Sequence, residues 1–557
     1  MLWIDAICIN QTDNEEKSIQ VRKMGSIYHK ARRVVVWLGP SSEHSQRAVD
    51  ALAHLGRQVL WDPGCVTVFQ ARECEPDCKE WYNGDHALHY DVDTWSGIAD
   101  LLNRPWFSRV WIWQEIWLAN QSTSILLSGS AEISWSAFKN SMMCMVLKQS
   151  HGSQAELSGT ALESYFNRVQ MLVFHDNPQR TVLELLYDMR NISFCDDPRD
   201  RLYALLDLAR DSQEVKFEPD YNKPFSQVYY EYCAENVRQF EGSSSSLLFL
   251  ASCELDSWEE GPTWVPNWSK PLLRGSFANP PSAQAGSYRG PCELIDGLIL
   301  RVKAVRCGIV LSCSSPAPAD ISTGTFSSLI QDWLSGISES LILDRILAVL
   351  MDGQFKSRTE ETPTFEEARR FLELCMKASP ATPSNEYFQS GFPLVLVFLR
   401  KFLPGRCLFQ TTNARWGLGP PSTQPGDIVF SIIGCDILMV LRKNERENFI
   451  LVGMCSLEGQ ADMEALLGPL PPGYHVEEGA NRWPYDMHFV DTDAGIKTNV
   501  DPRLGPSHPG WITKNSENDR IIWHNIESDE RTWFDPRHSD INFLQSRGVK
   551  IESIDIV

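Results

Sequence analysis

An apolar run, a turn and an amphipathic stretch open the chain, and they limit its fold more than any other segment. Leu2–Gly39 reads LWIDAICINQTDNEEKSIQVRKMGSIYHKARRVVVWLG. Leu2-Trp3-Ile4 and Ala6-Ile7-Cys8-Ile9 are too short and too β-branched for a free-standing helix, which predicts a strand. The turn formers Asn10-Gln11-Thr12-Asp13-Asn14 close it. From Glu15 to Ala31 the apolar residues Met24, Ile27, Tyr28 and Ala31 share one helical face. Arg33–Leu38 then predicts a second buried strand, stopped by Gly39-Pro40. Strand, helix, strand with nearly continuous apolar strands is the pattern of a parallel βαβ unit in an α/β domain, with helices flanking the sheet. Polar residues at the end of the first strand, Asn10 and Gln11 among them, would face the crevice where open α/β sheets bind ligands.

A second dense block runs Arg104-Pro-Trp-Phe-Ser-Arg-Val-Trp-Ile-Trp-Gln-Glu-Ile-Trp117. Its Trp residues bury large areas and lock neighbouring elements together. Glu115, between Trp113 and Trp117, is either paired with Arg104 or Arg109 or kept for chemistry. A third block, Asp197-Pro-Arg-Asp-Arg-Leu-Tyr-Ala-Leu-Leu206, predicts a helix entered through Asp197-Pro198, with Asp200 and Arg201 pairing across segments. LWIDAICINQ with VVVWLG, the Trp block and DPRDRLYALL, in that order, resemble blocks of the fungal heterokaryon-incompatibility (HET) domain over about the first 210 residues. That family's opening aromatic-Ala-Leu-Ser-Tyr-x-Trp-Gly block is not found before Leu2, so the expectation is an N-terminally truncated copy.

Apolar content of 43% and charged content of 22% are ordinary for a globular protein. A formal charge of −21 argues against a nucleic-acid binder or a protein held on an anionic membrane, since both need clustered Lys and Arg. The 15 cysteines are scattered without framework spacing, and no secretory leader or membrane-length apolar run is evident. These features predict a soluble, cytoplasmic protein with reduced thiols.

Ser41–Leu60 predicts a helix capped by Ser41-Ser42-Glu43, and residues 62–92 an irregular surface insertion. Within it, Cys74-x3-Cys78 and His86-x2-His89 offer four zinc-ligand side chains. The spacing is not a common finger pattern, and the acidic surroundings supply little apolar frame, so no metal site is expected there. Residues 211–290 read as a helical and irregular extension, ending in the Gly/Pro/Ser-rich stretch 275–290. Residues 291–470 read as a β-rich α+β region, with helices over 325–352 and 364–377 and strands at about ten-residue spacing. Residues 471–506, rich in Pro and Gly, predict a linker, and 539–557 a tail.

Between those two lies 507–538, where Trp511 and Trp533 stand 22 residues apart with Asn525 between them and Pro536 beyond. The pattern resembles a WW domain, which implies a three-stranded antiparallel module. Trp511, Trp523 and Pro536 would form its mini-core, and Trp533 would line a groove for Pro-rich peptides. Ile522 stands where that groove's Tyr belongs, so Pro-rich binding should be weak.

The HET resemblance implies an incompatibility or defence factor linked to programmed cell death, with protein association as the leading mechanism. HET domains also look distantly similar to TIR domains, some of which cleave NAD. On that alternative NAD is a substrate rather than a cofactor. Asp5 and Glu115 would be the catalytic carboxylates, and Asn10, Gln11 and Arg109 would bind the ligand. No cofactor is otherwise expected, and the oligomeric state is left open.

Overall fold

The computed structural model describes residues 2–62, 67–150, 169, 172–173, 180–190, 193–209, 216–239, 247–255, 257–258, 261–271, 290–318, 323–335, 340–351, 364–377, 395, 399–400, 402–435, 437–460, 462–478, 487–498, 500–505, 510–515, 521–527, 529, 531–532 and 535–557. Trp533, Cys65 and most of 275–290 lie outside the described residues. The chain divides into two units, Met1–Val228 and Tyr229–Val557.

In the first unit the opening apolar run is not a strand. Asp5–Cys8 is one helical turn, α1, in which Ile4 O accepts from Ile7 N at 3.0 Å and Cys8 N at 2.8 Å. Local bonds of this kind satisfy a backbone segment that has no neighbouring strand to pair with. The expected helix follows as α2, Asn14–Lys30. Asp13 caps it by accepting from Glu15 N and Glu16 N. Glu15 and Glu16 in the first turn and His29 and Lys30 in the last suit the helix dipole. Ser18, Val21, Met24 and Gly25 form the buried face.

Strand β1, Val35–Trp37, lies parallel to β4, Ile125–Ser128. β4 in turn is antiparallel to β5, Ala131–Ser134. The sheet is therefore mixed rather than parallel throughout. The turn between β4 and β5, with Gly129 at φ +59°, is too short for the crossover a parallel pair requires. Helix α3, Ser45–Gln58, and helix α6, Trp135–Ser150, approach closely at Gly56, where a Cβ would fall 1.9 Å from Ala137 O. Residues 67–92 carry more regular structure than an irregular insertion. β2, Val59–Asp62, pairs antiparallel with β3, Thr67–Gln70, and Cys78 is buried. Helix α4, Val92–Leu102, and helix α5, Ile112–Trp117, complete the part that frames the site.

The second unit is built on β7, Ile299–Cys313. The 310–313 part of β7 is antiparallel to β8, Cys407–Thr411, and the adjoining 304–309 part to β10, Ile428–Ile432. β8 pairs with β9, Trp416–Gly419. β10 pairs with β11, Leu438–Lys443, and β11 with β12, Phe449–Leu457. β12 returns to β9. The six strands therefore form a closed, antiparallel ring. Register shifts at Val310/Ser312, Val429/Phe430 and Val440/Leu441 supply the bends that closure needs. Val310, Phe409, Val429, Val440 and Val452 belong to its core. Helices Thr323–Trp333, Ser340–Leu350 and Phe365–Lys377, inserted between β7 and β8, form a second core around Phe326, Leu350 and Phe371.

Two stretches differ from the sequence reading. The 471–506 linker contains an antiparallel sheet of Tyr474–Glu478, Met487–Asp491 and Ile496–Thr498. The 539–557 tail ends in strand β19, Ile551–Ile556, which runs antiparallel along β7 and touches β12. The 507–538 segment forms the expected three strands, Trp511–Asn515, Ile521–Asn525 and Arg531–Thr532, all antiparallel. Trp523 is buried, with the Arg537 guanidinium 5.5 Å from its ring centre.

Asp-Pro-Arg occurs at 197–199, 501–503 and 535–537, and each copy folds into the same clip. The Arg amide donates to Asp Oδ1 at 3.0, 2.9 and 3.0 Å. The guanidinium turns back onto the same carboxylate, with Nη2–Oδ2 at 2.8, 2.6 and 2.6 Å. Nη1 of each Arg is then free to donate to a distant carbonyl: Lys223 O at 2.9 Å, Gly468 O at 2.7 Å and Gly505 O at 2.9 Å. Among the described residues no helix is long and apolar enough to cross a membrane.

Candidate functional site

Three of the residues singled out in the sequence meet in the first unit. Arg109 Nη2 lies 3.7 Å from Asp5 Oδ2 and 3.4 Å from Glu115 Oε1, so one guanidinium spans both carboxylates. Local structure places each of them. Asp5 opens α1, where its Oδ1 accepts from Ala6 N at 2.8 Å. Arg109 sits in extended backbone, held by Val110 N donating to Phe194 O at 2.9 Å and Phe194 N donating to Ser108 O at 2.6 Å. Glu115 lies on α5, and its Oε2 accepts from Trp106 Nε1 at 2.7 Å.

The two carboxylates differ in environment. Glu115's side chain is 11% exposed, while those of Asp5 and Arg109 are 36% and 45% exposed. Burial raises the Glu115 carboxyl above its ordinary value. Arg109 and the Trp106 N–H oppose the shift, and Asp5 adds to it. Tyr28, on α2 with its ring against Trp3 at 5.7 Å, has its hydroxyl pKa raised by burial and by Glu115 and Asp5, with Arg109 acting in the opposite sense. The arrangement thus offers a carboxyl with raised proton affinity, a half-exposed carboxylate, a shared guanidinium and a neutral phenol. Such a set can donate a proton, hold a cationic or polar ligand group, or serve as a structural pair.

Asn10 and Gln11 are close in sequence but less committed to the cluster. Asn10 Oδ1 accepts from Thr12 N at 3.2 Å and Thr12 Oγ1 at 2.8 Å, holding the turn before α2. Gln11 Nε2 reaches back to Asp5 O at 3.5 Å. Arg104 serves elsewhere, donating to Asp100 Oδ2 at 2.9 Å and Pro40 O at 3.1 Å. In the C-terminal module Ile522 is half-buried and pairs across the sheet with Lys514. Sequence reasoning assigned Tyr28 only to a core stripe and overlooked Trp106 as the donor to Glu115. A buried indole N–H needs an acceptor, and the carboxylate nine residues on was the available signal.

A second polar cluster surrounds the DPRDRLYALL block. Asp200 accepts from Trp111 Nε1 at 3.0 Å and from the Tyr221 hydroxyl at 2.5 Å, and burial raises its carboxyl. Arg201 donates to Arg190 O at 3.0 Å. Asp200 and Arg201 therefore do reach across segments, though to different partners. Lys17 lies 3.7 Å from Asp197 and 3.9 Å from the centre of the Tyr221 ring. The bonds that cross between segments mark this cluster as a brace between α2 and the 197–221 segment.

Because Glu115's proton affinity is raised on folding, its contribution to stability is present below the unfolded-state value of about 4.3. It is lost as pH rises through the higher folded-state value. Glu115→Gln keeps an acceptor for Trp106, so the difference in urea midpoint between wild type and this variant should shift in the variant's favour from about pH 3.5, below the unfolded-state value, to about pH 7.5. Glu115→Ala, which leaves the buried indole N–H without its acceptor, should lose about 1–3 kcal/mol at both values. A wild-type-minus-Gln difference that does not change with pH contradicts the assignment.

Residues 1–115, which contain Asp5, Arg109 and Glu115, match the family model described as "Heterokaryon incompatibility protein (HET)". The chain is also similar to "Heterokaryon incompatibility protein 6, OR allele" of Neurospora crassa. The two are 27% identical over 559 aligned residues, covering 83% of this chain and 81% of that protein. No solved structure matches. On these two findings the first 115 residues are similar to the HET family, and the chain is similar over most of its length to a fungal incompatibility protein.

Proposed function

We propose that the protein is a cytoplasmic incompatibility and defence factor that acts through protein association, leading to programmed cell death when triggered. The observation that carries the reading is the exposed apolar face of β1. Val35 and Trp37 are 46% and 55% exposed on one face of β1, the edge strand of its sheet among the described residues, while Val36 between them is buried. Large apolar groups on an open strand edge favour pairing with another chain. Leu2 and Ile7 in the same unit are also exposed. The WW-like module, with Trp533 and Ile522 at its groove, would add weak docking of Pro-rich peptides.

A second reading rests on the Asp5–Arg109–Glu115 cluster. In a TIR-like NAD glycohydrolase, one carboxylate would stabilise the oxocarbenium-like ribose as the nicotinamide bond breaks. Glu115 would take that role or hydrogen-bond the ribose, with Asp5, Asn10, Gln11 and Arg109 orienting the ligand. Expression in a fungal host separates the two, with viability, cellular NAD and co-precipitation of two differently tagged copies or of host proteins as readouts. Association predicts cell death at constant NAD that Trp37→Lys suppresses together with co-precipitation. A fall in NAD that Glu115→Gln prevents and Trp37→Lys does not would replace this reading with the enzymatic one.

A further inference from the structure

The C-terminal end of α3 and the loop that follows β3 bring three metal-ligating side chains together. The donor atoms of His54, Glu75 and Cys78 all lie within 4.8 Å of one another. His54 Nε2 and Glu75 Oε1 are 3.1 Å apart. Tetrahedral zinc with ordinary bonds of about 2.0–2.3 Å separates neighbouring donors by about 3.3–3.6 Å, so small side-chain rotations would complete such a shell. An imidazole, a carboxylate and a thiol make a borderline donor set, which favours Zn²⁺ over the oxygen-seeking Mg²⁺ and Ca²⁺.

Two of the ligands, Glu75 and His54, are held by neighbours outside the shell. Gln58 Nε2 donates to Glu75 Oε1 at 3.0 Å, and Glu75 N donates back to Gln58 Oε1 at 2.8 Å, so the buried Gln58 fixes both the main chain and side chain of Glu75. The His54 ring stands edge-on to Trp81 with centroids 5.2 Å apart. Cys78 is 4% exposed, whereas the His54 and Glu75 side chains are 35% and 60% exposed. The thiol therefore forms the floor and the other two the rim, leaving an approach from solvent. Supporting partners of this kind orient ligands in established metal sites. Burial, then Glu75, Cys74 and Asp77, raise the Cys78 thiol pKa. A divalent cation among these negative groups reverses that balance.

We propose that His54, Glu75 and Cys78 bind one Zn²⁺, with solvent in the fourth position, clamping the end of α3 to the 71–81 loop. Binding forms a Zn–S bond and releases the Cys78 thiol proton to solvent, with no redox change. The spacing-based set Cys74, Cys78, His86 and His89 is a different constellation that shares only Cys78.

The test uses the full chain, stripped with a chelator and titrated with Co²⁺ as a spectroscopic stand-in and then with Zn²⁺. A thiolate-to-Co²⁺ charge-transfer band in the near ultraviolet should saturate at one equivalent and vanish in Cys78→Ser and His54→Asn. It should persist in the double variant His86→Ala/His89→Ala. Gln58→Ala should weaken Zn²⁺ binding by about 10- to 100-fold through loss of orientation. Because Cys78→Ser alters a buried position, the exposed Glu75→Gln provides the second measure. Zn²⁺ should raise the wild-type Tm and leave this variant's Tm unchanged. No band in wild type, a band that survives Cys78→Ser, or an equal Tm rise in Glu75→Gln overturns the proposal.

Discussion

Deleting residues 551–557 is expected to unfold the Tyr229–Val557 unit at physiological temperature. β19 covers the first half of β7 in unbroken register from Ile551↔Val305 to Ile556↔Leu300. Ile554 and Ile556 are buried, and full burial of each contributes about 1.5–3 kcal/mol. Arg301 forks onto Asp555 at 2.7 and 2.9 Å, and Val557 O accepts from Thr263 N at 2.9 Å. Together these losses approach the whole net stability of a typical domain, about 5–15 kcal/mol. Urea unfolding followed by Trp fluorescence should lose the second unit's transition. Adding a peptide of residues 549–557 should restore part of it, as strand addition does elsewhere. An unchanged transition in the truncated chain would mean that the ring holds itself without this strand.

The second large effect is expected at Arg503. Its clip partner Asp501 is buried, with the two side chains 4% and 1% exposed, and its guanidinium also serves Gly468 O at 2.7 Å and Asp462 O at 2.8 Å. Arg503→Ala strands a buried carboxylate and two carbonyls, a change that costs about 3–5 kcal/mol. Arg503→Lys should recover little, because an ammonium cannot reproduce the planar fork. The double variant Asp501→Leu/Arg503→Met should be far closer to wild type, since it removes both charges at once. Chemical denaturation of the four proteins tests this order of stabilities. A small effect of Arg503→Ala alone would show that water reaches Asp501.

What was legible in the sequence follows from where each signal resides. Helix α2 carries its cap and terminal charges at its own ends, so its existence could be read directly. Its buried face, however, is Ser18, Val21, Met24 and Gly25, and of the expected stripe Met24, Ile27, Tyr28 and Ala31 only Met24 is fully buried. Leu2–Ile9 could not, because an apolar run says that a segment is sticky but not whether a partner strand lies beside it. The sheet at 474–498 was hidden by the Pro471-Pro472-Gly473 run before it, by the Pro and Gly scattered through 479–495 in the sequence, and by polar strands such as Tyr474-His-Val-Glu-Glu. β19 was hidden by distance, since its partner β7 lies far back in the chain. At the site, Asp5, Arg109 and Glu115 stood out as charges inside apolar or aromatic runs. Tyr28 resembled any other core aromatic until α2 was placed against α5. The His54–Glu75–Cys78 group was invisible to spacing rules for a related reason. His54 belongs to a helix and the other two to a loop, and only the fold gives them a common address.

The order in which β7 is covered also bears on how the chain is made. A ribosome delivers β7 early, then the helical insertion, then the rest of the ring, and β19 only after the 474–498 and 511–532 sheets. The Cys292–Ile295 strand, made earlier, pairs with residues 299–302 of β7, but until β19 emerges the other edge of the 300–305 stretch lacks its partner. Pairing across so long an interval is slow, because loop closure must come before any contact can form. During that interval the nascent chain exposes an apolar strand edge to its neighbours on the same polysome. Yield and solubility in heterologous expression should therefore depend on translation speed and chaperone supply over the segment between β12 and β19, more than on the stability of the finished fold.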